Sequence, residues 1–264
     1  MNALSNIISL RRTAGLARWN SVLLVRNRLA FSYAVVMPLL PLALLFTGDR
    51  GSPAVGAGAI VTMFLVLSLF PVYYNVLSQF VNRRDELVLK RMRTGETRDA
   101  ELLASIALPG ATSALVLAAI AIPIAAALGQ MLPLNPVLYT VLAVLVVTMF
   151  SAFAYWTAAW TRSAESAQLT SLPLILLASA GPLTNTIPDM PDWLSDMLSL
   201  TPGAAISDLV RVGWFGLDGP GAAETTLTFT QTWSHATQPL VIIAAWTILA
   251  VVLATRSMRW EPRG

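Results

Sequence analysis

The chain has no cysteine, one histidine (His235) and one lysine (Lys90) in 264 residues. Without cysteine there is neither a disulfide framework nor a thiolate metal site, and one histidine cannot form an HExxH pair. A P-loop needs a lysine directly after a glycine, whereas Lys90 follows Leu89, so the chain cannot hydrolyse ATP by that route. No GxSxG occurs and no pair of carboxylates falls inside an apolar run, which removes the usual materials for a serine hydrolase, a proton relay or an intramembrane protease. Charge is scarce too. At 12% charged residues, the chain holds about half the charge of an ordinary soluble domain.

What is abundant is apolar surface: 56% of the residues are hydrophobic and the mean hydropathy is +0.66. A charge at mid-bilayer costs roughly 2.5–3.5 kcal/mol and a helix needs about 20 apolar residues to cross, so uncharged runs locate the spans. Leu29 to Gly48 fits one crossing and Gly51 to Asn82 a second. Leu102 to Thr161 is uncharged throughout and is broken by "GQMLPLNP" at 129–136, which gives spans three and four. Ser166 to Pro188 supplies the fifth, and the sixth lies within Pro239 to Thr255. The expected fold is an all-α membrane protein of six spans. It is organised as one domain over 1–264: an interfacial segment 1–28, spans one and two in 29–82, a loop 83–101, spans three and four in 102–161, span five in 166–188, an outer segment 189–238, span six in 239–255 and a tail 256–264.

Basic residues in the loops orient the spans. Fifteen of the seventeen Lys and Arg fall before span one, after span two, after span four or after span six, while only Arg50 and Arg211 fall on the other side. Both termini and loop 83–101 are therefore expected to be cytoplasmic. The net charge of +3 reflects this topology and does not point to nucleic acid. Arginine used almost to the exclusion of lysine, with many alanines, suits a GC-rich bacterial genome, which makes the bacterial cell membrane the expected location.

Loop 83–101 carries more than topology requires, because Asp85, Glu86, Glu96, Asp99 and Glu101 stand among its six basic residues. Read as a helix over 83–93, it sets Glu86 four residues before Lys90 and leaves Leu87, Val88 and Met92 as an apolar edge, with Gly95 as a stop. Such a segment suits docking on a soluble protein. In the N-terminal segment, Leu4, Ile7, Ile8, Leu16, Trp19, Leu23 and Leu24 recur at mostly helical spacing with arginines between them, the pattern of a helix lying at the lipid headgroups.

Polar groups inside the spans mark candidate pathway positions. Tyr74, Asn75 and Gln79 near the inner end of span two, and Tyr155 and Trp156 in span four, are the candidates, with the amides foremost because an amide in a span faces protein or a cavity. Aromatic belts at the membrane surface are the alternative reading of the tyrosines and tryptophans. The few charges in the spans suit a neutral or amphipathic small-molecule cargo. Outside, "IPDMPDWLSDMLSLTPGAAISDLVRVGWFG" offers two short helices joined at Thr201-Pro202-Gly203, with Asp208 and Arg211 spaced to pair. His235 reads as a polar side chain at the interface.

Three segments together resemble the permeases of type-2 ABC transporters: "VLLVRNRLAFSYAVVMPLLPLALLF", "RRDELVLKRMRTGETRDAELLASIALPG" and "LTPGAAISDLVRVGWFG". The resemblance runs the length of the chain. It implies an exporter subunit of multidrug or antibiotic-efflux type, not an enzyme itself, that pairs with a second copy of itself or a related permease. Two separate ATP-binding subunits would use ATP and Mg, and this chain would bind no cofactor. It further implies that 83–93 is a coupling helix, with Leu87 and Met92 as apolar contacts and Arg84, Glu86, Lys90 and Arg91 as polar ones. Short helices carrying Asp208 and Arg211 would dip into the outer leaflet and cap the pathway. An ion-gradient-driven carrier and, more distantly, a membrane-embedded enzyme are the readings from other classes. The first requires ionisable groups or an internal repeat in the spans, and the second requires catalytic residues; neither is evident.

Overall fold

A computed structural model describes residues 10–46, 51–86, 98–163, 166–185, 187, 190–219 and 221–257. The described residues form helices and connections only. In chain order these are α1 (Leu10–Arg26), α2 (28–46), α3 (Pro53–Asp85), α4 (Asp99–Ala127) and α5 (Pro136–Ala158). After them come α6 (Ala167–Ala180, extended by a 3₁₀ turn Gly181–Asn185), α7 (Asp192–Ser199), α8 (Pro202–Phe215) and α9 (Phe229–Ser257).

Four of these, α3, α4, α5 and α9, are long and apolar enough to cross a membrane. The first and fifth expected spans are shorter apolar helices, Ser32–Phe46 and Ala167–Leu183, so the count of six is not met by length alone. Prolines explain part of the shortfall. Pro38 and Pro41 interrupt the hydrogen-bond ladder of α2, which runs as a π segment over Ser32–Val36 and ends as 3₁₀ over Leu40–Phe46. Pro71 does the same inside α3, where Ser68–Tyr74 is π-helical. The last helix also differs from expectation. The polar approach at 229–238 is already helical, and Pro239 lies inside α9 instead of at its start.

Helix starts follow the local chemistry. Pro53, Pro136 and Pro202 each occupy the first helical turn, where a missing N–H costs nothing. Thr201 accepts from the Ala204 N–H to cap α8, and Glu101 reaches back to the Arg98 N–H to close the first turn of α4. Gly216 ends α8 in the left-handed conformation (φ +59°) that suits glycine.

The break between α4 and α5 is pinned to the end of α8. The N–H groups of Leu134 and Asn135 donate to the Trp214 and Gly213 carbonyls at 3.0 and 2.8 Å, and the Trp214 indole donates to Met131 O at 2.9 Å. α8 is thereby buried among α3, α5 and α9. The core is continuous around Phe64, Tyr139, Phe150, Phe153 and Trp214. Leu169, Leu176, Val241 and Ile248 point outward, as lipid-facing side chains do.

Asn135 joins two of these helices. Fully buried, it caps α5 by accepting from Leu138 N and donates to Thr232 Oγ1 on α9 at 2.9 Å. Asn135→Ala should cost about 2 kcal/mol, because it removes a cap and the amide that donates to the buried Thr232 hydroxyl. Thermal unfolding of the purified chain checks this: the alanine variant melts below wild type, and Asn135→Ser, which keeps a capping oxygen, falls less.

Candidate transport cleft and charged junction

The N-terminal halves of α2 and α6 and the C-terminal half of α3 border a cleft of about 680 Å³. Tyr74, Asn75, Ser78, Gln79 and Asn82 line it from α3, spaced along one face by the helical repeat. Tyr33 enters from α2 and Gln168 from α6. Gln79 Nε2 donates to Asn75 Oδ1 at 2.7 Å, while Asn75 Nδ2 is buried with no partner. An amide hydrogen so placed in an apolar setting is a donor awaiting an acceptor. Tyr33 stacks on Phe70, which in turn meets Tyr74, so one end of the cleft is aromatic and the other amide-rich.

Both π segments among the described residues border this cleft, since Tyr33, Ala34, Phe70 and Tyr74 belong to them. A widened turn rotates the residues beyond it relative to those before, and such turns are frequent at functional sites. Behind the α3 wall, Gly110 of α4 lets the two helices approach closely. A Cβ at that position would lie 2.0 Å from Pro71 O and 2.8 Å from Asn75 Nδ2.

The expected lining residues divide. Tyr74, Asn75 and Gln79 meet in the cleft, whereas Tyr155 turns into the packed interior, donating to Leu103 O at 2.6 Å and standing edge-on to Phe80. Trp156 is partly buried on the other side of α5, beside Phe153 and Trp160. Gln168 and Tyr33 were legible by the same rule that marks Asn75, as polar groups within apolar runs, but their meeting with α3 is tertiary.

At the charged junction that ends α3, the expected helix over 83–93 divides as well. Arg83, Arg84 and Asp85 are the last turn of α3, and Glu86 is its exposed C-cap. Leu87, Lys90, Arg91 and Met92 lie outside the described residues. Arg84 does not face a partner, as expected from the sequence, but is fully buried. It donates to Ala158 O and Thr161 O, both at 2.7 Å, with Asp85 Oδ1 3.5 Å from Nε. The reason is that the end of α5 leaves carbonyls without helical partners, and a guanidinium fork satisfies two at once. Arg83 donates to Asn20 Oδ1 of α1, and Asn20 Nδ2 donates to Ser105 O of α4 at 2.7 Å.

After α8, Arg211 donates to Gly219 O and Ala222 O at 3.1 and 2.9 Å, holding the connection that follows. Burial lowers its guanidinium from the ordinary value and the Asp208 carboxylate works in the opposite sense. Arg211 and Asp208 thus serve the local structure. His235 Nδ1 stands 3.0 Å from Asp218 Oδ1 in an exposed pair that ties this connection to α9.

Long apolar helices, an amide-lined cleft and a charged junction at one end define a polytopic helical membrane transport component. The family described as ABC-2 family transporter protein matches residues 37–256, and the chain belongs to that family. It is therefore an ABC type-2 permease by family. Comparison with curated proteins returned no match.

Proposed function

We propose that this chain is the membrane subunit of an ATP-driven exporter for a hydrophobic or amphipathic small molecule. The observation that carries this reading is the cleft between α2, α3 and α6, with an aromatic end and an amide end. Such a lining can hold an amphipathic molecule by stacking and hydrogen bonding without a fixed charge. Its polar wall also suits a second permease, a copy of this chain or a related one, because amides in a bilayer require protein or cargo as partner.

Six crossings complete the reading. With seven residues in the stretched 3₁₀ form, the nineteen residues of α2 reach about 30 Å, close to the thickness of the hydrocarbon core. α6 with its 3₁₀ extension is the fifth crossing, and both termini lie in the cytoplasm of a bacterial cell. Two separate ATP-binding subunits, which use ATP and Mg, dock on the loop that begins at Glu86. Glu86, Leu87, Lys90, Arg91 and Met92 form that contact, and Arg84 supports it from inside.

The test is to co-express the chain with a P-loop ATPase encoded beside it, purify by a tag on the permease and assay vanadate-sensitive ATP hydrolysis. Co-purification with activity is expected, and Glu86→Arg should reduce ATPase retention or stimulation at least several-fold. If no ATPase is retained while membranes carrying the chain move solute down an ion gradient, the carrier reading replaces this one.

A further inference from the structure

The buried Arg84 stands at the meeting point of three helices. Its two 2.7 Å bonds join the end of α3 to Ala158 and Thr161 at the end of α5. Thr161 Oγ1 in turn lies 2.9 Å from Thr170 Oγ1 of α6, and Tyr73, earlier in α3, donates at 3.0 Å to Oγ1 of Thr157, the residue before Ala158. Thr170 sits between Gln168 and Leu172, which line the cleft from α6. Arg84 is separated by one residue from Glu86, where the cytoplasmic loop begins.

We infer that Arg84 is a positioning residue that locks the end of α3, the end of α5 and the start of α6 into one moving body. Displacement of the loop at Glu86 then reaches the α6 wall of the cleft together with its α3 wall. The inference rests on the permease reading for its purpose, though not for its geometry. Separating α3 from α5 here strands a charge and two carbonyls where no water reaches, since Arg84 is 0% exposed. A push on the loop is therefore transmitted as rotation of the joined helices in preference to their parting. Arg83, which reaches Asn20 of α1, extends the same junction to the interfacial helix.

The lack of cysteine allows a direct test, because introduced cysteines are the only ones present. Spin labels at Asn82→Cys and Leu169→Cys, both exposed, report the separation of α3 and α6 in the full chain in lipid nanodiscs. Thr62→Cys with Thr112→Cys reports α3 against α4 farther from the junction. In the Arg84-containing chain, taken without an ATPase, the first pair should give one narrow distance. Arg84→Gln should broaden that distribution at least twofold and leave the second pair unchanged, and Arg84→Lys should restore part of the narrowing. Thr170→Val, a near-isosteric change, should broaden the first pair alone and serves if Arg84→Gln does not fold. A first-pair distance as narrow in the variants as in the parent, or equal broadening of both pairs, overturns the inference. The widths are measured on the permease alone, so failure to retain an ATPase refutes the permease reading without touching this result.

Discussion

Gly110→Val is expected to destabilise the chain more than loss of the Asn135 cap does. The Cβ would sit 2.0 Å from the Pro71 carbonyl oxygen, a backbone atom that cannot swing away, so α3 and α4 must part. The added methyl groups then have no vacant space to occupy. Overpacking of this kind costs about 3 kcal/mol at the upper end of its usual range, which for a chain of this size is a fall in Tm of roughly 6–12 °C. Gly110→Ala should show much of the same loss. Gly58, in the N-terminal half of α3, has nothing within 4 Å of its would-be Cβ. Gly58→Ala should therefore be neutral or stabilising by up to about 1 kcal/mol, through helix propensity. Thermal unfolding of the three variants in one detergent measures the contrast. A Gly110→Val chain that melts with wild type would mean that α3 and α4 are not packed as described.

The largest functional effect should come from Asn75→Leu combined with Gln79→Leu. The two side chains are hydrogen-bonded to each other and both line the cleft, so together they present its amide end. Leucine preserves volume and helix propensity, and removes every donor and acceptor. At about 1–1.5 kcal/mol for each lost polar contact, the double change corresponds to a loss of roughly tenfold to a hundredfold. The measurement is growth protection against whichever members of a panel of lipophilic antibiotics the wild-type chain protects against, with ATPase retention assayed in parallel. Protection should fall while retention holds. Undiminished protection would remove these residues from the pathway.

The sequence was most legible where a single physical quantity decides. Uncharged run length located the apolar helices, and the "GQMLPLNP" break between the third and fourth fell where α4 ends and α5 begins. Thr201 and Pro202 signalled the start of α8 correctly, because capping needs only neighbouring residues. Legibility failed where a side chain has two physically reasonable destinations. A charged residue at a span end can face a partner or cap a neighbouring helix, and Arg84 does the second because the end of α5 offers two unpaired carbonyls. Tyr155 and Tyr74 both read as aromatics near the inner leaflet. One is consumed by Leu103 O in the interior, and the other borders the cleft.

Composition and periodicity alone determined that this is a helical membrane protein, since charge scarcity and apolar length are properties of the chain itself. They also marked Asn75 and Gln79, because an amide in an apolar run must find a polar neighbour. Only the tertiary structure decided which neighbours those are. The prolines reshaped α2 and α3 into π segments, Gly110 let α4 close in behind them, and Arg84 fastened α3 to α5. The last two depend on residues tens of positions apart meeting at atomic distance, which no local pattern encodes.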